Sequence, residues 1–132
     1  MGYNTQFKGV LKFKNELTMD QLRELRKYLD EDCRAHPEWE GCEGLTYIDL
    51  KLNKSLTGLM WNGAEKTYDL PEKINFVVES VQEKFPEFGL TGTLFAQGEE
   101  AGDVYYIQMV DGVAKKTEIE LPFTDDQLNE PL

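Results

Sequence analysis

An α+β sandwich is what this sequence predicts, with two helices packed on one face of an antiparallel sheet. Three observations point there. Segments of alternating polarity flank two capped, amphipathic helical segments, in the order strand–helix–strand, strand–helix–strand. A right-handed crossover at each helix places both on the same side of the sheet. After that pattern is complete, a strong hairpin turn, Asp111-Gly112, adds two further strands. The expected topology is ferredoxin-like, βαββαβ, with an added C-terminal β-hairpin.

Residues 3–13 set Tyr3, Thr5, Phe7, Gly9, Leu11 and Phe13 on one face and Asn4, Gln6, Lys8 and Lys12 on the other, as in a half-buried strand. Thr18 and Gln21 then form a capping-box pair, and Leu22, Leu25 and Leu29 supply one apolar helical stripe. That helix should end near residues 30–32, where a run of acids meets the negative end of the helix dipole. Residues 33–44 read as a loop broken by Pro37, Gly41 and Gly44. Thr46, Ile48, Leu50 and Leu52 alternate with Tyr47, Asp49, Lys51 and Asn53, a clear strand signal, and a third strand covers 56–61 before Asn62-Gly63.

Asp69-Leu70-Pro71-Glu72 predicts the second helix, with Asp69 as its cap and Pro71 in the first turn. Leu70, Ile74, Val77, Val78, Val81 and Phe85 follow helical spacing, and Pro86 and Gly89 stop it. A fourth strand spans 90–96, a polar loop 97–103, and the hairpin strands 104–110 and 113–121. Residues 1–121 are thus expected to be one domain, followed by an acidic tail at 122–132.

A chain of 132 residues is long enough to bury its own core. Its net charge of −11 repels phosphate backbones and anionic membranes and attracts basic proteins, so direct nucleic-acid binding is not expected. No apolar run is long enough to span a membrane, and the N-terminus lacks a signal-peptide profile. A cytoplasmic location is expected, where Cys33 and Cys42 stay reduced.

Cys33, His36 and Cys42, with Glu38, Glu40 or Glu43, could offer metal ligands, but their spacing is not that of a zinc finger, so no metal and no cofactor are expected. Cys33 follows Asp30, Glu31 and Asp32 at a helix C-terminus, an environment that opposes a thiolate, and no catalytic residue is assigned. The glycine-flanked stretch Gly98-Glu99-Glu100-Ala101-Gly102-Asp103 gathers three carboxylates that could hold a hard cation or a basic partner, or simply form a solvated turn. Lys8, Lys12 and Lys14, with Tyr47 and Lys51, are expected on the sheet face away from the helices, most simply as a solvated lysine face. Trp39, set among acids and glycines, either plugs the edge of the core or marks a contact surface.

Gly92-Thr93-Leu94-Phe95-Ala96-Gln97-Gly98-Glu99-Glu100-Ala101-Gly102-Asp103, together with the opening Gly2-Tyr3-Asn4-Thr5-Gln6-Phe7-Lys8-Gly9 and a leucine-rich first helix, resembles a group of small uncharacterised phage, prophage and actinobacterial proteins with a late G-E-x-x-G-D turn. The resemblance implies a phage or bacterial cytoplasmic origin and favours the acidic turn as a site. The expected function is that of a small acidic, non-enzymatic protein that binds a basic host protein through Glu99, Glu100, Asp103 and Trp39. A nucleotide or small-ligand binder using the Gly98–Asp103 loop, with or without a metal, is the alternative. An exposed edge strand leaves a homodimer open.

Overall fold

The computed structural model describes residues 4–29, 31–100 and 102–118. In chain order these form β1 (Gln6–Lys8), β2 (Leu11–Phe13), α1 (Met19–Arg26), a single 3-10 turn (Cys33–Ala35), β3 (Leu50–Leu52) and β4 (Gly58–Trp61). There follow α2 (Leu70–Gln82), β5 (Leu90–Thr91), β6 (Thr93–Gln97), β7 (Val104–Val110) and β8 (Val113–Glu118). The fold is α+β, with two helices and two four-stranded antiparallel sheets, ordered β1-β6-β7-β8 and β3-β4-β2-β5. The expected tail at 122–132 lies outside the described residues.

Two strands expected to be continuous are each divided at a glycine. Residues 3–13 break at Gly9 (φ +114) and 90–96 break at Gly92 (φ +109), both in the left-handed region that a side chain disfavours. A Cβ on Gly9 would lie 2.9 Å from the Thr93 carbonyl oxygen, so backbone from the partner strand occupies that space. The register nevertheless runs through unchanged. From Gln6↔Gln97 to Lys8↔Phe95, and again from Lys12↔Thr91 to Phe13↔Leu90, each step forward on one strand is one step back on the other, with no residue gained or lost.

Because side chains alternate, this register sorts the faces across both sheets. Phe7, Leu11, Leu59, Leu94 and Ile107 point inward and join α2 residues Ile74, Val77, Val78 and Val81 in one core. Lys8, Lys12, Lys51, Phe95, Tyr106 and Lys115 occupy the opposite face. The expected helical stripe is realised: Leu25, Leu70, Ile74, Val77 and Val81 are buried, while Leu22, Leu29 and Phe85 are half-buried at its margin.

The capping box of α1 forms as the sequence predicts, with Thr18 Oγ1 accepting from the Gln21 N–H at 3.2 Å and Gln21 Oε1 accepting from the Thr18 N–H at 2.9 Å. The helix is shorter than expected and closes at Arg26. Its last carbonyls are taken by tight i→i−3 bonds from Lys27 and Tyr28, and residues 31–33 are drawn into pairing with 46–48. That pairing also removes 46–49 from the sheet, so only Leu50–Leu52 of the expected strand enters it. Asp49, which alternation placed outward, turns inward at φ +62 and is buried. Asp69 does not cap α2. At φ +55 its side chain makes no cap hydrogen bond, although its carbonyl accepts the Lys73 N–H at 3.0 Å.

Polar ties hold the helices in place. Glu24 on α1 receives Lys27 at 2.8 Å and Lys84 at 3.4 Å, and Gln21 Nε2 donates to Glu87 at 2.7 Å. On α2, Asn75 reaches the edge strand β8, donating to the Ala114 carbonyl at 3.0 Å and accepting the Ala114 N–H at 2.7 Å.

Candidate functional site

The acidic stretch folds into a closed turn between β6 and β7. The Gly98 N–H donates to the Asp103 carbonyl at 2.8 Å and the Asp103 N–H donates to the Glu100 carbonyl at 3.0 Å. Glu99 Oε1 accepts the Asn4 N–H at 2.8 Å, and Asn4 Oδ1 in turn accepts the Lys66 N–H at 3.1 Å. Glu99 therefore ties the turn to the start of the chain and to the segment ahead of α2. Glu100 is exposed and Asp103 half-buried. Among the described residues no group of three His, Cys, Asp or Glu side chains is placed to hold a metal ion.

Trp39 belongs to a different neighbourhood. It is half-buried, packs against the core and meets Tyr28 at 5.1 Å and Phe76 at 5.5 Å between ring centroids. His36 stacks on it at 3.8 Å with the rings 8° from parallel. Both imidazole nitrogens face carboxylates, Nδ1 to Glu38 at 3.1 Å and Nε2 to Glu31 at 3.2 Å. The Glu38 hydrogen bond, then that of Glu31, raises the His36 pKa and favours the imidazolium. Glu38 is held below the usual carboxylate range by its own backbone N–H and then by His36.

Two cavities open beside Trp39. In one, of about 280 Å³, the rings of Tyr28, Trp39 and Phe76 lie beneath a rim of Glu38, Glu40, Ser80 and Glu83. Aromatic faces attract cations and carboxylates pair with them, so the arrangement suits a lysine or arginine side chain. The other, of about 270 Å³, is lined by Cys33, His36, Trp39 and Cys42 among others. Both thiols are free and buried. Burial, then a hydrogen bond to Cys42, pushes the Cys33 thiol up to about 12, which leaves it protonated and a poor nucleophile.

Of the residues singled out from sequence, Glu99, Glu100 and Asp103 come together in one turn, while the residues packed around Trp39 come from elsewhere. Tyr28, Phe76 and Glu83 were not legible as neighbours of Trp39: Phe76 lies within α2, Glu83 at its C-cap and Tyr28 just past the end of α1, and each carries only an ordinary helical signal. On the sheet, Lys8, Lys12 and Lys51 lie on the open face as alternation predicts. Two other expectations for that face are corrected. Tyr47 leaves the sheet with the 46–48 segment and lies under the Arg34 guanidinium at 5.8 Å, and Lys14 sits beyond β2 with its side chain over Gly89. Phe95 and Tyr106 share the phase of Lys8, a signal present in the alternation of their strands, and meet edge-on at 5.8 Å. Comparison with protein-family models, with curated proteins and with solved structures finds no match for the chain.

Proposed function

We propose that this chain is a small non-enzymatic binding protein on a ferredoxin-like frame, and that it engages a basic protein surface through the acidic cavity at Trp39. For the frame, the support is the single register shared by the β1–β6 and β2–β5 ladders. Joined through Gly9 and Gly92, the strands run β3, β4, β1/β2, β5/β6, all antiparallel, with β7 and β8 added beyond.

For the function, one observation carries the reading: Glu40 and Glu83, with Glu38 paired to His36 beside them, line a cavity of about 280 Å³ together with the half-buried rings of Tyr28 and Trp39, room for one long basic side chain. A cation seated there gains from the exposed carboxylates and from the half-buried Tyr28 and Trp39 rings together. Glu99 and Glu100 extend the acidic character to a second exposed point. A host protein is the partner class that the phage resemblance suggests.

The test uses a fluorescein-labelled oligolysine peptide as probe. Trp39→Ala and Glu40→Gln/Glu83→Gln should each weaken its binding at least tenfold, with Glu99→Gln/Glu100→Gln changing it less. Equal binding by all variants would reduce the interaction to net charge. Loss confined to the Glu99/Glu100 variant would move the site to the turn.

A further inference from the structure

We propose that the sheet face turned away from the helices binds single-stranded nucleic acid. The charges on the chain are sorted by face. At the outward strand positions of the described residues every charged side chain is a lysine, namely Lys8, Lys12, Lys51 and Lys115, although the chain carries 25 acidic residues against 14 basic. None of the ion pairs among the described residues uses any of these four. Their charge is left available to a ligand.

Between them lies a surface suited to bases. Lys8, Phe95, Tyr106 and Thr117 form one cross-strand row, with Phe95 half-buried and Tyr106 38% exposed. Two residues along, Thr93, Gln108 and Lys115 form the next row. Aromatic faces stack on bases of any sequence, while amides and hydroxyls meet base edges and lysines meet phosphates. Strands are spaced about 4.8 Å apart and residues about 3.3 Å along a strand, so Lys8 and Lys115, three strands and two residues apart, flank the aromatic pair at about 16 Å. An acidic protein segment would use the lysines but gains less from paired rings set among amides and hydroxyls.

The net charge of −11 repels a nucleic acid at long range, but the sorting of charge by face reduces that repulsion at the sheet. Among the described residues the carboxylates lie on the helix side, in loops and, for Glu118, at an inward position of β8, off the outward strand positions. At physiological ionic strength the Debye length is about 8 Å, so the approaching backbone responds mainly to the near face.

Fluorescence anisotropy of labelled oligo-dT and oligo-U 12-mers tests the proposal on the full chain. Binding is expected at 50 mM salt, weakening about fiftyfold by 200 mM if four phosphates are contacted. Lys8→Gln or Lys115→Gln should each flatten the salt dependence by about 0.7 in logarithmic slope. Tyr106→Ala should weaken binding about tenfold or more without changing that slope. Thermal melts confirm folding, and if Tyr106→Ala melts early the two exposed lysine variants decide. No binding at 50 mM salt would overturn the proposal. So would equal affinity for a duplex of the same length, equal competition by oligoglutamate, or indifference to all three substitutions.

Discussion

Lys73 Nζ lies 3.5 Å from Asp49 Oδ2 in the interior, with the lysine side chain 1% exposed and the aspartate 10%. The pair joins the first turn of α2 to the left-handed turn that leads into β3, and it fixes where the 46–49 segment leaves the sheet. A buried pair owes its persistence to both partners, because either one alone is an uncompensated charge. Asp49→Asn, which keeps a residue tolerant of φ +62, should therefore cost about 3–5 kcal/mol in a urea melt. Lys73→Met/Asp49→Asn should recover most of that loss, since removing both charges removes the unpaired one. If the double variant is as unstable as Asp49→Asn, the lysine has another structural use.

The stack of His36 on Trp39 provides a pH readout. His36 is raised above the ordinary value of 6.5 by Glu38 first and Glu31 second. A folded pKa raised above the unfolded one means that the contribution is fully present below about 6.5 and is lost as pH rises through the folded value. Tryptophan fluorescence should accordingly change with a midpoint above 6.5, as the quenching imidazolium at 3.8 Å loses its proton. His36→Gln should abolish that transition. A midpoint at or below 6.5 would mean that the two carboxylates do not hold the ring.

Cys33 should be unreactive in the folded protein. Its thiol is pushed up from 9.0 to about 12 by burial and then by Cys42, so at pH 8 the thiolate fraction falls on the order of a thousandfold. Disulfide-exchange labelling of Cys33 in Cys42→Ser at pH 8 should still be much slower in the folded protein than in urea, because burial, the larger cause, remains when the Cys42 contribution is removed. The sign for stability is the same as for His36: a raised thiol pKa favours the folded state below 9.0 and loses that contribution as pH climbs toward 12. Rapid labelling under native conditions would show that the loop opens.

What could be read from the chain is what neighbouring residues decide. Thr18 and Gln21 are three residues apart and make their own box, Asp111-Gly112 forms a left-handed turn at φ +52 and +83, and the α2 stripe needs only helical spacing. What could not be read depends on partners distant in sequence. Asp49 alternates correctly for an outward residue, whereas the pairing of 46–48 with 31–33 and the contact with Lys73, in α2, go with its inward position. Residues 46–48 carry a strand signal but spend it on 31–33 rather than on the sheet. The same holds at the site. Trp39 stands out by its surroundings in sequence, whereas Tyr28, Phe76 and Glu83, which complete its cavity, are brought there by two helices. Glu99 was legible as an exposed acid but not as the acceptor for the Asn4 N–H.

The edge of the sheet gives the last prediction. Among the described residues β8 ends the strand order, and Ala114 pairs with Met109 on its inner side, so the Ala114 N–H and carbonyl face away from the sheet. Such a pair of groups is a template for another strand, and proteins commonly block it. Here Asn75 does so, its amide supplying the acceptor at 2.7 Å and the donor at 3.0 Å that a further strand would have supplied. Asn75→Leu keeps the helix and a similar volume but removes both bonds. It should cost about 1–3 kcal/mol in a thermal melt, because two backbone groups lose their partner. It should also promote concentration-dependent self-association, measured by sedimentation against the unsubstituted protein, as the uncovered edge recruits a second copy. Asn75→Asp tests the geometry: it keeps the acceptor for the Ala114 N–H but sets a carboxylate oxygen against the Ala114 carbonyl, so it should destabilise as well. If Asn75→Leu is as stable as the parent and sediments identically, the amide is incidental and the edge is protected by other means.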